Sequence, residues 1–370
     1  MKRIISEAIE KDLFKGKTIL VFGPRRVGKT YLVQELIKEY GGVYHTGEWV
    51  EVREKLSSIS QSGFREFVGQ AKFIVVDEAQ GIPDVGTKLK VLHDTFPDVQ
   101  FMITGSSSLE LAHKTSEPLT GRSRYYTLYP VSYDEMRLEK SPFEAYAGIE
   151  SYLRFGMYPE VVMKHESERK DELRNIVSTY LYRDILEYGQ LKRPDIVEEI
   201  LKLLAFQIGQ EVSLNEISNK TNTTVKTVAR YLSMLEQAFV IKSLNSFSRN
   251  LRNEIGKSRK YYFIDLGIRN AIINNFNPLT LRNDVGQLWE NFCVMERIKK
   301  NEYARRYVNI YFWRTYDQKE IDYVEEIDGA LNAFEFKWDN RTTKPPKTFL
   351  EAYPESTYQV ISKDNLHEFI

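Results

Sequence analysis

The chain has 370 residues, more than one ordinary hydrophobic core organises, so two or three domains are expected. Charged residues make up 28% and hydrophobic ones 42%, and Lys+Arg and Asp+Glu balance at 52 each, so any nucleic-acid contact has to come from local basic patches rather than overall charge. A single cysteine, Cys293, excludes an internal disulfide framework and a cysteine zinc site, and the five scattered histidines show no metal-ligand spacing.

The amino-terminal stretch "MKRIISEAIEKDLF" is charged throughout and lacks an apolar core of signal-peptide length. No apolar run approaches the ~18 residues that span a bilayer, so the expectation is a cytoplasmic protein without a membrane partner. Residues 17–23 read as a buried strand and 30–40, "TYLVQELIKEY", as a helix. Between them the sequence fits G-x-x-x-x-G-K-[ST] at Gly23, Gly28, Lys29 and Thr30. Glycines let backbone N–H groups curl around an anion, and the helix N-terminus adds positive partial charge. Pro24, Arg25, Arg26 and Val27 complete the loop and Tyr31 follows it, so this whole segment is expected to hold a nucleotide. Lys29 is expected on the β- and γ-phosphates and the Thr30 hydroxyl on Mg²⁺.

"KFIVVDEAQ" (72–80) is an apolar strand ending in two acids. Asp77 is expected to hold the Mg²⁺, often through water, and Glu78 to polarise the attacking water. The strand "VQFMITG" ends in three serines at 106–108, and Ser106 is the residue expected at the γ-phosphate. "LTGRSRYYTLYP" places Arg122 just before a further apolar strand. Five strands with helical connections predict a doubly wound α/β sheet with nucleotide at the carboxyl ends. No N-K-x-D guanine-reading motif occurs, which favours ATP over GTP.

The segments "GPRRVGKT", "FIVVDEAQ", "ITGSSS" and "LTGRSRYYTLYPVSYDE" resemble AAA+-type P-loop ATPases, in particular a prokaryotic family of ATP-binding proteins. The resemblance implies an ATPase domain over 1–145 and a helical lid over 146–192. It implies that Arg122, with Arg124 as the weaker alternative, enters a neighbouring subunit's site. It therefore implies a homo-oligomer, a hexameric ring by the AAA+ pattern or a dimer.

From 193 to 272 the pattern predicts a winged helix-turn-helix domain. "DIVEEILKLLAFQIG" is an amphipathic helix, and Ser213 and Glu216 stand at capping-box spacing before a second. "TVKTVARYLSMLEQAF" is a third helix, with Val225, Val228, Leu232 and Leu235 on one face and Lys226 and Arg230 off it. Two apolar strands flank a basic segment carrying Arg249, Arg252, Lys257, Arg259 and Lys260. The third helix is sized for a major groove, and the wing cations suit DNA phosphates, so backbone or shape recognition is expected.

The last segment, 273–370, yields to counting. Asp328-Gly329 is a hairpin turn between alternating strands, so paired residues sum to 657. Asp322 then faces Glu335, Glu320 faces Lys337, and all four share one side of the sheet. Phe334, Phe336 and Trp338 point to the other. Opposed carboxylates repel, which a divalent metal bound by Asp322 and Glu335 would relieve, with Lys337 positioning water or stabilising a phosphate. Asp-x12-Glu-x-Lys resembles the PD-(D/E)XK nuclease superfamily, and Glu290 in "GQLWENFCVMERIKK" matches its upstream helical glutamate. The same prokaryotic ATPase family also shows this carboxyl-terminal layout, in "YLSMLEQAFVIKSL", "KYYFIDLGI", "KEIDYV" and "FEFK". The sequence thus leads to an ATP-dependent, DNA-acting nuclease using Mg²⁺ or Mn²⁺. The alternative is an ATP-controlled switch that binds DNA or protein through a non-cleaving nuclease-like domain. A third reading is a regulatory ATPase whose winged helix docks on a protein.

Overall fold

Thr18–Phe22 (β1) is buried at every position, as are Phe73–Asp77 (β3) and Gln100–Gly105 (β4). Strands apolar on both faces need a layer on each side, which a parallel sheet covered by helices provides. With Val43–Thr46 (β2) and Ser123–Thr127 (β5) they form a five-stranded sheet in the order β2-β3-β4-β1-β5, every pair parallel. Three helices concern the site and its surroundings: Ile5–Glu10 (α1), Lys29–Tyr40 (α2) and Val85–Thr95 (α3). Leu20, Ile74, Val76 and Ile103 of the sheet pack with Leu89 and Leu92 of α3 in one core.

This computed structural model describes residues 1–57, 61–106, 119–181, 193–247, 259–315, 317–341 and 343–370. The chain divides into two compact units, 1–130 with 237–239, and 131–236 with 240–370. No helix among the described residues is long and apolar enough to cross a membrane.

The second unit is built on a seven-stranded mixed sheet. Its strands are Glu211–Val212 (β6), Ile241–Ser246 (β7), Arg259–Phe263 (β8), Asn309–Arg314 (β9), Glu320–Ile327 (β10), Ala330–Phe336 (β11) and Thr357–Ile361 (β12). They run in the order β12-β11-β10-β9-β7-β8-β6. The sequence suggested a boundary at 272/273, but β7 pairs in parallel with β9, Asn245 beside Tyr311 and Ser246 beside Phe312. One sheet therefore runs through both segments. The pairing covers edges that a three-stranded and a four-stranded sheet would each leave open.

The described part of the 146–192 segment, expected as a helical lid, lies in the second unit. Its helices Ile149–Phe155 (α4) and Glu166–Ile176 (α5) are tied to later residues. Asp265 caps Leu266–Ile272 (α9 below) by accepting from the Ile268 N–H at 3.1 Å and accepts from the Met157 N–H at 2.6 Å. Asn270 Nδ2 donates to the carbonyls of Leu153 and Arg154, each at 2.9 Å. These buried polar ties fix the register of the docking, alongside the burial of Leu153, Phe155, Leu173 and Ile176.

Helices Pro194–Phe206 (α6), Leu214–Lys220 (α7) and Val225–Gln237 (α8) come next, before Leu266–Ile272 (α9) and the 19-residue Val285–Tyr303 (α10). Ser213 caps α7 by accepting from the Glu216 N–H at 3.3 Å, while the Glu216 carboxylate turns to Lys220 and Gln207. On α8, Val228, Leu232 and Leu235 are buried as expected, joined by Tyr231. Val225 in the first turn is exposed, so the apolar stripe starts one turn later than the sequence pattern suggested.

Candidate functional site

The loop after β1 carries the first candidate site. Gly23 passes so close to the chain leaving β5 that a Cβ would stand 2.1 Å from the Leu128 carbonyl oxygen. Gly28, at the N-cap of α2, has φ +95°, a left-handed value that side chains disfavour. Lys29 is buried and donates to the carbonyls of Gly23 (3.0 Å) and Pro24 (2.9 Å), so its ammonium lies inside the loop. Thr30 Oγ1 donates to Asp77 Oδ2 at 2.7 Å, which ties the loop to the end of β3.

The strand order explains the rest. Because β4 lies between β1 and β3, its carboxyl end sits beside both the loop and the acidic pair. Thr104, level with Val21 of β1, donates its hydroxyl to Asp77 Oδ1 and accepts from the Glu78 N–H at 3.1 Å. Tyr44 of β2 donates to Asp77 Oδ2 at 2.7 Å, and burial together with this bond pushes its phenol well above the ordinary range. Asp77 is thus a buried carboxylate with three hydroxyl donors. Glu78 adopts φ 48°, ψ 45°, a left-handed conformation uncommon outside glycine that marks functional turns. Gln80 Nε2 donates to Glu78 Oε2 at 2.5 Å and to Ser106 Oγ at 3.2 Å. Its buried Oε1 has no hydrogen-bond partner among the described residues.

The residues fit a nucleoside triphosphate with its magnesium. A lysine, a helix N-terminus and a left-handed glycine face the loop interior. A threonine that gives its proton to Asp77 keeps oxygen lone pairs for a cation. The orphaned Gln80 oxygen, beside Glu78, offers an acceptor to a water molecule.

Residues 15–137 match the AAA domain family. Residues 147–279 match a Domain of unknown function (DUF8612), and residues 285–369 another, DUF4143. The 147–279 match crosses the 192/193 boundary expected from the sequence. An uncharacterized protein of Mycobacterium tuberculosis is 26% identical over 348 residues, covering 93% of this chain and 75% of the relative. An uncharacterized protein of Haemophilus influenzae is 24% identical over 351 residues, covering 88% and 84% respectively. Among solved structures, the Walker-type ATPase of Pyrococcus abyssi aligns at a TM-score of 0.46 with 17% identity, over 74% of this chain and 95% of that one.

Within the AAA domain, Gly23, Pro24, Arg25, Arg26, Val27, Gly28, Lys29, Thr30 and Tyr31 form one continuous loop and helix start, next to Asp77 and Glu78. Ser106, expected at the γ-phosphate, is buried and reaches the acidic pair through Gln80, whereas Thr104 touches it directly. Thr104 was hidden because its role depends on which strand lies beside β3. Arg3 was also not expected: buried, it donates to the carbonyls of Val27 (2.6 Å) and Tyr129 (2.7 Å) and braces the loop from behind. Nothing in the local sequence around Arg3 signals this.

Arg122 lies elsewhere. The Thr18 N–H donates to its carbonyl at 2.8 Å, which puts it at the amino end of β1, opposite the loop. Its side chain pairs with Asp94 of α3 at 2.7 Å, and Arg124 stands 3.7 Å from Asp12. Thr104→Val keeps shape and removes both hydrogen bonds. With a bond to a charged group worth about 1.5–3 kcal/mol, kcat for ATP hydrolysis is expected to fall roughly 10–100-fold. Steady-state phosphate release checks this, and a value within about two-fold of wild type would remove Thr104 from the site.

The second candidate site is an acid cluster on the seven-stranded sheet. The expected register is present from Ile327 opposite Ala330 to Tyr323 opposite Phe334, where the ladder ends; β10 is irregular against β9 between Ile321 and Val324, at Asp322, and the Glu335 charge still acts on Asp322. Asp322 Oδ2 accepts from the Phe336 N–H at 2.9 Å. Glu290 of α10 joins from below. Burial, with Asp322 nearby, pushes its carboxyl up to about 7 despite Lys260. Burial and the Glu335 charge likewise push Asp322 up to about 6.

The cations differ from expectation. Lys337, just past the end of β11, bonds Glu335 at 2.7 Å rather than Glu320 across the hairpin. Glu320 instead pairs with Lys260 and, at 3.5 Å, with Arg314. Lys260, expected as a wing cation, has a side chain only 1% exposed and donates to Glu290 Oε1 at 2.9 Å. Tyr262 donates to the same oxygen at 2.7 Å. Burial alone would lower the Lys260 pKa, but Glu290, Asp322 and Glu320 outweigh it and hold the ammonium charged. The repulsion between Asp322 and Glu335 is therefore answered by the chain's own lysines. Among the described residues no three acid, histidine or cysteine side chains are arranged to hold a metal ion. The residues present do not fit the divalent metal that Asp322 and Glu335 were expected to bind.

Because Glu290 has a folded value near 7 against an ordinary 4.5, its folded form binds a proton the unfolded chain releases. Its contribution favours folding at low pH and is lost as pH rises from about 4.5 through about 7. Wild type is expected to lose roughly 2–3 kcal/mol relative to Glu290→Gln across that window, read by denaturant titration at each pH. Parallel curves for the two proteins would show that Glu290 stays ionised.

Of the residues expected at nucleic acid, Lys226 and Arg230 are exposed on the outer side of α8, and Arg259 is exposed at the start of β8. Arg249, Arg252 and Lys257 lie outside the described residues.

Proposed function

We propose that the chain is a nucleotide-controlled, nucleic-acid-binding switch: its AAA domain binds and hydrolyses Mg²⁺·ATP, and its second unit engages DNA. The observation that carries the first half is the convergence of Lys29, Thr30, Asp77, Glu78 and Thr104 at the carboxyl ends of three adjacent strands. Lys29 neutralises the phosphates, Thr30 and Asp77 hold the magnesium, and Glu78, oriented by Gln80, polarises water for in-line attack.

Three helices and three short strands in the order α6-β6-α7-α8-β7-β8, with β8 between β7 and β6, support a winged helix-turn-helix reading. Lys226 and Arg230, one turn apart on the outer face of α8, are the cations offered to phosphates. Arg122, away from its own loop and paired with Asp94, would enter a neighbouring copy's site by exchanging that partner for the phosphates, which makes a homo-oligomer part of the proposal.

A second reading, metal-dependent cleavage of DNA by Asp322, Glu335, Lys337 and Glu290, is favoured by the register and opposed by Lys260. The test combines ATP hydrolysis and DNA binding. Wild type should hydrolyse ATP and Lys29→Ala should not; equal rates sink the ATPase reading. DNA affinity should fall steeply with salt, and neutralising Lys226 and Arg230 should reduce the salt slope by about one per lost phosphate contact. Affinity unchanged by salt and by both substitutions sinks the DNA reading. Linear and branched DNA incubated with Mn²⁺ should stay intact, and cleavage that Asp322→Ala abolishes would establish the second reading instead.

A further inference from the structure

Opposed carboxylates on a sheet face, a helical glutamate and a nearby lysine imply a divalent metal, and the residues around them disagree. We propose that Lys260 is a tethered cation standing in the position a divalent metal would take among Glu290, Glu320 and Asp322, so that the carboxyl-terminal acid cluster of this chain is closed to Mg²⁺ and Mn²⁺. The inference is independent of the ATPase reading and concerns the second unit alone.

Three observations carry it. The ammonium has its ligands: it donates to Glu290 Oε1 at 2.9 Å and pairs with Glu320, and the Phe312 ring covers it with its centroid 5.5 Å away. A cation held by two carboxylates and capped by an aromatic face has no open position for water or a phosphate oxygen, which a catalytic metal requires. The stem is fixed as well. Lys260 lies in β8, paired with Leu244 of β7 on one side and Glu211 of β6 on the other, so withdrawing the side chain means disturbing the middle of a three-strand ladder. The remaining acids are answered too: Glu335 by Lys337 at 2.7 Å, and Asp322 by the Phe336 N–H at 2.9 Å. A divalent ion arriving with Lys260 in place would stand within a few ångströms of a buried ammonium, in surroundings where like charges are poorly screened.

A tethered ammonium does the structural part of a metal's task and none of the chemical part. It compensates charge and holds three strands and α10 together. It carries no exchangeable water whose proton it could release, and it cannot bridge to a phosphate while both carboxylates hold it.

The test is Mn²⁺ binding to the nucleotide-free 370-residue chain, read from the free-ion signal by electron paramagnetic resonance. Wild type and Asp322→Asn are expected to bind Mn²⁺ equally. Lys260→Met is expected to gain one equivalent of Mn²⁺, which Lys260→Met/Asp322→Asn loses again. Wild type that binds one equivalent more than Asp322→Asn overturns the proposal, because the cluster then admits metal with Lys260 present. Lys260→Met that folds, by circular dichroism, and takes up no more Mn²⁺ than wild type also overturns it. If Lys260→Met does not fold, the comparison of wild type with Asp322→Asn still decides. Nucleotide-free protein and an Asp77→Asn control keep the phosphate loop out of the count, so a failure of the ATPase reading leaves this result intact.

Discussion

Glu78→Gln is expected to lower kcat for ATP hydrolysis by roughly 10²–10⁴-fold, the contribution of a positioned general base, while leaving ATP affinity within a few-fold. The split follows from the geometry. Glu78 accepts from Gln80 Nε2 and lies one residue past Asp77, whereas the phosphate-binding groups, Lys29 and Thr30, belong to the loop. Glutamine keeps the shape and the bond to Gln80 but cannot take a proton. Its left-handed backbone, φ 48°, holds the carboxylate at the strand end, and the Glu78 N–H bonded to Thr104 fixes that turn. Phosphate release under steady state, with nucleotide titration on the same protein, measures both quantities. A kcat within about five-fold of wild type would show that water is activated by another group.

The largest stability effect is expected at Arg297. Its Nε and Nη2 donate to Glu325 Oε1 (2.8 Å) and Oε2 (2.7 Å), a two-pronged pair buried between α10 and β10. Asn301 Nδ2 adds a bond to Glu325 at 2.5 Å, and the guanidinium lies over the Phe369 ring at 4.8 Å from its centroid. Burial would raise the Glu325 carboxyl, but Arg297 outweighs it and holds it below the usual carboxylate range. Arg297→Met leaves that carboxylate buried without its cation, which costs about 3–5 kcal/mol. Arg297→Met/Glu325→Leu should recover much of the loss, since an apolar pair of similar volume needs no compensation. Three of the four tryptophans, Trp289, Trp313 and Trp338, lie in the second unit, so with Trp49 of the first unit replaced by Phe, denaturant unfolding followed by tryptophan fluorescence reports on the second. A loss below about 1 kcal/mol would mean that the pair is solvated in solution.

Local chemistry was legible wherever a short stretch carries its own constraint. The loop from Gly23 to Thr30 was readable because close backbone approach and left-handed φ admit few residues but glycine, and both occur there. The hairpin register was readable because Asp328-Gly329 fixes the turn and strand pairing then follows by counting, down to Tyr323 opposite Phe334. Ser106 was a near miss: the strand end was right, but Thr104, two residues earlier on the same side, makes the contact. Lys260 was misread as a wing cation because its neighbours in sequence are basic, whereas its neighbours in space are acidic.

By itself the sequence determined what two- to ten-residue windows can encode: the phosphate loop, the acidic strand end, the hairpin register and the helix faces. Tertiary structure alone decided strand order, and with it Thr104 and Tyr44 on Asp77. It also decided the joining of β7 to β9, the docking of α4 and α5 on α9, and the identity of the cation in the acid cluster. Hydrogen-bond pairing and turn chemistry act between residues whose separation in the chain is short or set by a count. The charge beside a buried carboxylate comes from whichever strand packs there, and no local pattern names that strand.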